Sequence, residues 1–190
     1  MRAWAALLAL LLSNAPACLV DSDVNDGGNG APRTGYPAGP YGVAEGAVIE
    51  ALSFVDTQGA AYGLQQIYAD GNNRLLLAST AAFWCVACIE EQPDLQQLYE
   101  TYRGRGFAVL LAVFEDDQYQ PTDGTDAARW RTQYAVDFTV VADPTFLFDA
   151  YYDSSLTPMN MLIDVGTMKI IRIQTGWDKS AVEALIEAKL

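Results

Sequence analysis

Two of the three cysteines in this 190-residue chain lie in "FWCVACIEEQP", as Cys85 and Cys88. Two sulfurs at that spacing can hold a metal, staple the chain or cycle between dithiol and disulfide. A structural zinc site takes four Cys or His ligands, usually as two such pairs. The chain has one pair and no histidine, so no metal is expected. A disulfide across two residues closes too short a loop to restrict the unfolded chain much. Thiol–disulfide exchange is the chemistry that the pair serves best. The missing histidine also excludes Ser-His-Asp catalysis and an imidazole pH switch.

Exchange needs one reactive sulfur and one that resolves, so the neighbouring elements matter. "NRLLLAST", residues 73–80, is a short apolar run of the kind that makes a buried strand, and it leads straight into Trp84 and Cys85. Leu95, Leu98, Tyr99 and Tyr102 then recur at helical spacing, with Gly104 and Gly106 as the stop. Cys85 is thus expected at the N-terminus of a helix, where free N–H groups and the helix dipole favour thiolate over thiol. Cys88, one turn inside, is placed to close a disulfide on Cys85 from a more shielded position.

The remaining pattern predicts a β-hairpin around Thr57-Gln58-Gly59 and a central strand at "FAVLLAVF", residues 107–114. An acidic loop, residues 115–126, reads as a solvated connection. A helix over 126–136, a strand over 137–143 and a short helix over 144–153 follow. Two strands about Val165-Gly166-Thr167 and an amphipathic helix over 178–190 close the chain. Strands alternating with helices, then a late hairpin, predict an α/β fold with a central mixed sheet flanked by helices.

"FWCVACIEEQP" followed much later by "TPMNMLID" resembles the thioredoxin superfamily, and within it the exported TlpA/ResA-like thiol–disulfide oxidoreductases, over roughly residues 46–190. The resemblance implies a thioredoxin-like fold with Cys85 as nucleophile and Cys88 as resolving thiol. It implies that Pro158 is a cis-proline facing them, with Thr157 offering backbone hydrogen bonds to a substrate segment. Trp84 would shield the pair and help dock substrate, and Pro93 matches a proline that kinks the active-site helix. Thioredoxin has a buried acid six residues before its first cysteine, where this chain has Ser79. Glu91, three after Cys88, matches an acid of ResA-like members and is expected either to take the Cys88 proton or to be plain solvated surface. The residue before the second cysteine is Ala87, where the family often has proline.

Residues 1–17 have the charge, apolar run and small-residue end of a signal peptide. Cleavage there would leave Cys18 first, in a context that resembles a bacterial lipobox apart from Ala15 at the usual leucine. Lipidation would also explain an odd cysteine in an exported chain. Residues 18–44, rich in Gly, Pro, Asn and Asp, read as a flexible tether, and 45–190 as the thioredoxin-like domain. The net charge of −13 argues against nucleic acid.

The expected activity is therefore exchange with protein thiols and disulfides in the bacterial cell envelope, on the periplasmic side. It would run as a reductase, without cofactor, with a membrane thiol carrier as its candidate electron donor and touching the membrane only through a lipid anchor. Two other readings are a peroxiredoxin-like peroxidase, against which Ala82 stands where a Thr or Ser is usual, and a redox-inactive protein-binding module of the same fold.

Overall fold

The computed structural model describes residues 30–190. The expected signal peptide, Cys18 and the first part of the tether lie outside the described residues. A seven-stranded mixed sheet has the order β2-β1-β5-β4-β3-β6-β7. Its strands are β1 (Ser53–Val55), β2 (Ala61–Gly63), β3 (Leu75–Ala82), β4 (Phe107–Glu115), β5 (Thr139–Ala142), β6 (Met159–Asp164) and β7 (Lys169–Thr175). β3, β4 and β5 run parallel, whereas β6, β7 and the β1–β2 hairpin pair antiparallel at the two edges.

The period of two decides what each face carries. Leu75, Leu77 and Ala81 of β3, with Phe107, Val109, Leu111 and Val113 of β4, form one core. It is closed by α3 (Gln92–Tyr102), α4 (Gly124–Gln133) and α5 (Lys179–Lys189) through Leu95, Leu98, Trp130, Val182 and Ile186. Leu76, Ala78, Leu110 and Ala112 point the other way, into a core with Ile49, Phe54, Leu64, Phe148 and Met161. Ser79 and Thr80 continue the alternation, so Ser79 faces the side of α3 and Thr80 the opposite side.

Two elements differ from expectation, and a third shows the kink expected at Pro93. A short helix α1 (Leu64–Ala69) follows β2, started by Gln66, whose Oε1 accepts the Gly63 N–H at 3.0 Å. Six residues are too few for periodicity to reveal. α4 begins two residues early because Asp123 caps it, accepting the N–H groups of Thr125 and Asp126 at 2.7 and 3.1 Å. The active-site helix is two pieces, α2 (Val86–Glu90) and α3, parted at Glu91, with Pro93 in the first turn of α3.

The tether expected over 18–44 is attached where it can be seen. Nη1 of Arg33 donates to the carbonyls of Tyr68 (3.0 Å) and Asp70 (2.8 Å), and Nη2 to that of Asn73 (2.8 Å). These carbonyls lie at and just beyond the C-terminus of α1, where a cation is favoured. Tyr36 lies edge-on to Tyr68 and donates to the Ile49 carbonyl at 3.1 Å. The backbone of Gly30 and Ala31 crosses so close to Gly71 that a β-carbon there would collide with it. Composition alone missed this, because one arginine with three waiting acceptors outweighs many glycines. Arg33→Ala is expected to cost about 1–2 kcal/mol, read as a lower urea midpoint together with lost hydrogen-exchange protection near residues 69–73. An unchanged midpoint would show that the attachment is only incidental.

Candidate active site

β3 ends at Ala82, and the chain turns at once, with the Cys85 N–H donating to the Ala82 carbonyl at 3.0 Å. Cys85 is the N-cap of α2: its Sγ accepts the Cys88 N–H at 3.1 Å. A cap normally offers oxygen to that donor, and here sulfur fills the position, so negative charge on Cys85 would be met by a fixed N–H. The two cysteines are joined as a disulfide. Cys85 keeps 5 % of its surface exposed and Cys88 none. The expected asymmetry is therefore present, although in this oxidised state neither sulfur is far into solvent.

Iodoacetamide added to reduced protein is accordingly expected to modify Cys85 well below pH 8 while Cys88 lags. Equal rates for the two sulfurs, rising only near pH 8.5, would contradict the capping argument.

The Thr157–Pro158 peptide is cis, and the Thr157 carbonyl oxygen lies 4.0 Å from Cys85 Sγ. Thr157 Oγ1 lies 4.0 Å from Cys88 Sγ. Thr80, at the end of β3, holds this turn in place by accepting the Met159 N–H at 2.9 Å. Trp84 stands at the rim, its indole N–H donating to Glu115 at 2.8 Å. Its ring stacks on Tyr119 with centroids 5.6 Å apart. The loop read from sequence as a plain connection thus reaches the site through Glu115 and Tyr119. An aromatic in an otherwise polar run was the one local signal of that.

Glu91 is 1 % exposed, so the solvated-surface reading does not apply. It follows Cys88 by three residues, about one helical turn, and both are buried. Ser79 Oγ donates to its Oε1 at 2.9 Å and Asn160 Nδ2 to its Oε2 at 3.2 Å. Burial pushes its pKa up to about 8, outweighing the two hydrogen bonds, which pull it down. A buried acid thus stands at the break between α2 and α3, with the Ser79 hydroxyl as its partner. Ser79 and Asn160 are partners that nothing local in the sequence identifies.

Gln92 ties the active-site turn to the core. Its Nε2 donates to the Cys88 carbonyl at 2.7 Å, and its Oε1 accepts from Trp130 at 3.2 Å. The structure therefore gathers Cys85, Cys88, Thr157 and Pro158 at one place, with Trp84 beside them and Glu91 buried about one helical turn beyond Cys88.

A model of the AhpC/TSA family matches residues 46–172. No curated protein matches the chain. Among solved structures, a candidate DsbE thiol:disulfide interchange protein from Chlorobium tepidum superposes with a TM-score of 0.64 at 22% identity, over 78% of this chain and 99% of that one. A thiol:disulfide interchange protein from a Bacteroides species gives 0.59 at 18% identity, over 76% and 91%. The exposed lipoprotein thioredoxin Etrx1 from Streptococcus pneumoniae gives 0.56 at 19% identity, over 73% and 99%. At such identities the likeness shows the fold, a thioredoxin-like α/β fold with a mixed sheet flanked by helices.

Proposed function

The chain belongs to the AhpC/TSA family, and from that premise we propose that it exchanges disulfides with exported proteins, as a reductase acting through Cys85. The observation that carries this reading is the Cys85–Cys88 disulfide capping α2 opposite the cis Thr157–Pro158 turn. In the reduced protein the Cys85 thiolate attacks one sulfur of a substrate disulfide. A mixed disulfide forms, and the other substrate sulfur leaves as a thiolate that takes a proton from water. Cys88 then loses its proton to ionised Glu91 and attacks Cys85 Sγ. The second substrate thiolate departs, and two electrons have passed from the cysteine pair to the substrate. Trp84 and Thr157 border the sulfur under attack, and the Thr157 backbone is available to an extended substrate segment.

Envelope placement rests on the signal-like residues 1–17 and on Cys18 as a lipidation site. Among the described residues no helix is long and apolar enough to cross a membrane. Gly30 lies beside Asn72, just before β3, while Cys85 follows the end of that strand, about 25 Å of strand away.

Reduction of insulin by the dithiothreitol-reduced protein, set beside hydrogen peroxide consumption, tests the reading. Insulin reduction without peroxide turnover is the expected result. Peroxide turnover alone would favour the peroxidase, and neither activity would leave a binding module. Ala82, wholly buried three residues before Cys85, offers a peroxide no hydroxyl.

A further inference from the structure

Six large apolar side chains are exposed among the described residues, and four of them border the disulfide. Trp84 and Val86 flank Cys85 in the chain. Leu156 precedes the Thr157–Pro158 turn, and Tyr119 stacks on Trp84. Val86, Tyr119 and Leu156 are 66%, 64% and 55% exposed. Exposed apolar surface gathered at one place marks a binding surface rather than chance.

Tyr119 is held there by its loop. Oδ1 of Asp116 accepts the N–H groups of Gln118 and Gln120, each at 2.8 Å, closing a tight turn. Tyr119 sits at the tip with φ at 60°, a left-handed conformation that aromatic residues rarely adopt. Asp117 is bridged at 3.3 Å to Arg129, whose guanidinium lies 3.8 Å over the Phe83 ring. An aromatic ring kept in an unfavourable backbone state yet left in solvent gains little for the fold.

The charge around it is predominantly negative. Residues 83–93, 115–126 and 152–158, which border the site, contain eight carboxylates and no Lys or Arg. Glu91 alone of these is buried away with its proton. Arg129, the cation that reaches this loop, already serves Asp117 and Asp126.

The geometry points to Tyr119 and Trp84 as a docking platform for one class of partner: an extended polypeptide segment whose cysteine is flanked by an apolar residue and by Lys or Arg. This rests on the exchange reading above and names its substrate class. The apolar side chain covers the Trp84–Tyr119 pair while the basic group lies against the carboxylates of the rim. Tyr119 is thereby a specificity-determining residue, supplied by a loop outside the Cys-x-x-Cys motif.

Binding is measured apart from exchange by titrating peptides in which serine replaces cysteine: Lys-Phe-Ser-Arg, Glu-Phe-Ser-Glu and Lys-Ser-Ser-Arg, with blocked ends. The basic, aromatic peptide is expected to bind about tenfold tighter than either other and to weaken as salt screens the rim. Tyr119→Ser is expected to lose about tenfold in affinity for that peptide, and Tyr119→Phe to recover it. Equal affinity for all three peptides, or a Tyr119→Ser variant that discriminates as the wild type does, overturns the proposal. Selective binding by a protein that fails to reduce insulin would sink the exchange reading and leave the platform standing. Insulin reduction without selective binding would do the reverse.

Discussion

Insulin reduction is expected to fall to the uncatalysed rate in Cys85→Ser, whereas Cys88→Ser is expected to start each reaction and never finish it. The difference follows from position. Cys85 Sγ meets a fixed N–H at the start of α2 and keeps the only solvent contact of the pair. Without it no sulfur can reach a substrate. Cys88 is wholly buried, bonded to Cys85 and 4.0 Å from Thr157 Oγ1, so its loss stops resolution and leaves the mixed disulfide intact. Non-reducing electrophoresis should show Cys88→Ser carrying protein adducts that dithiothreitol releases, and Cys85→Ser carrying none. The trapped partners also report direction. If their own disulfides accumulate in cells lacking this protein, it is a reductase; if free thiols accumulate instead, it donates disulfides. Adducts on Cys85→Ser that match those on Cys88→Ser would refute the assignment of roles.

Glu91→Gln is expected to separate stability from activity. The Glu91 pKa is about 8 in the folded protein, against an ordinary value of 4.5. Between those values the folded state holds a proton that the unfolded state has released. The contribution of this neutral acid to stability is full below pH 4.5 and is lost progressively as pH rises to about 8. Gln keeps both contacts, because its oxygen can accept from Asn160 and its amide can donate to the Ser79 hydroxyl, and it does not titrate. Wild type and variant should therefore unfold at similar urea concentrations at pH 4.5. By pH 8.5 the variant should be the more stable, by on the order of 3 kcal/mol.

Activity should move the other way. At pH 7 about one tenth of Glu91 is ionised and able to take the Cys88 proton. Resolution of the mixed disulfide in wild type should rise roughly tenfold from pH 7 and level off above pH 8. In Glu91→Gln it should be about a hundredfold slower, with that rise absent. A variant that resolves with the wild-type pH profile would rule out Glu91 as proton acceptor. A variant no more stable than wild type at pH 8.5 would show that Glu91 is already ionised at neutral pH.

The placement of the cysteine pair was legible in the sequence because its signals are local. A two-residue cysteine spacing, an apolar strand before it and helical periodicity after it place Cys85 at a helix start whatever surrounds them. The alternation along β3 and β4 likewise assigns each side chain a face, since neighbouring residues in a strand point oppositely. The Thr157–Pro158 turn was identified through family resemblance, and the fold brings it to the sulfurs. What no local pattern carried was environment. Burial pushes the Glu91 pKa up to about 8 against the pull of its hydrogen bonds to Ser79, twelve residues away, and Asn160, sixty-nine away. Tyr119 belongs to the site only because β4 delivers its loop beside Trp84, thirty-one residues from Glu115. Arg33 holds an apparently free segment through carbonyls thirty-five to forty residues on. Desolvation and charge are sums over everything within a few ångströms, and only tertiary packing decides which residues enter those sums.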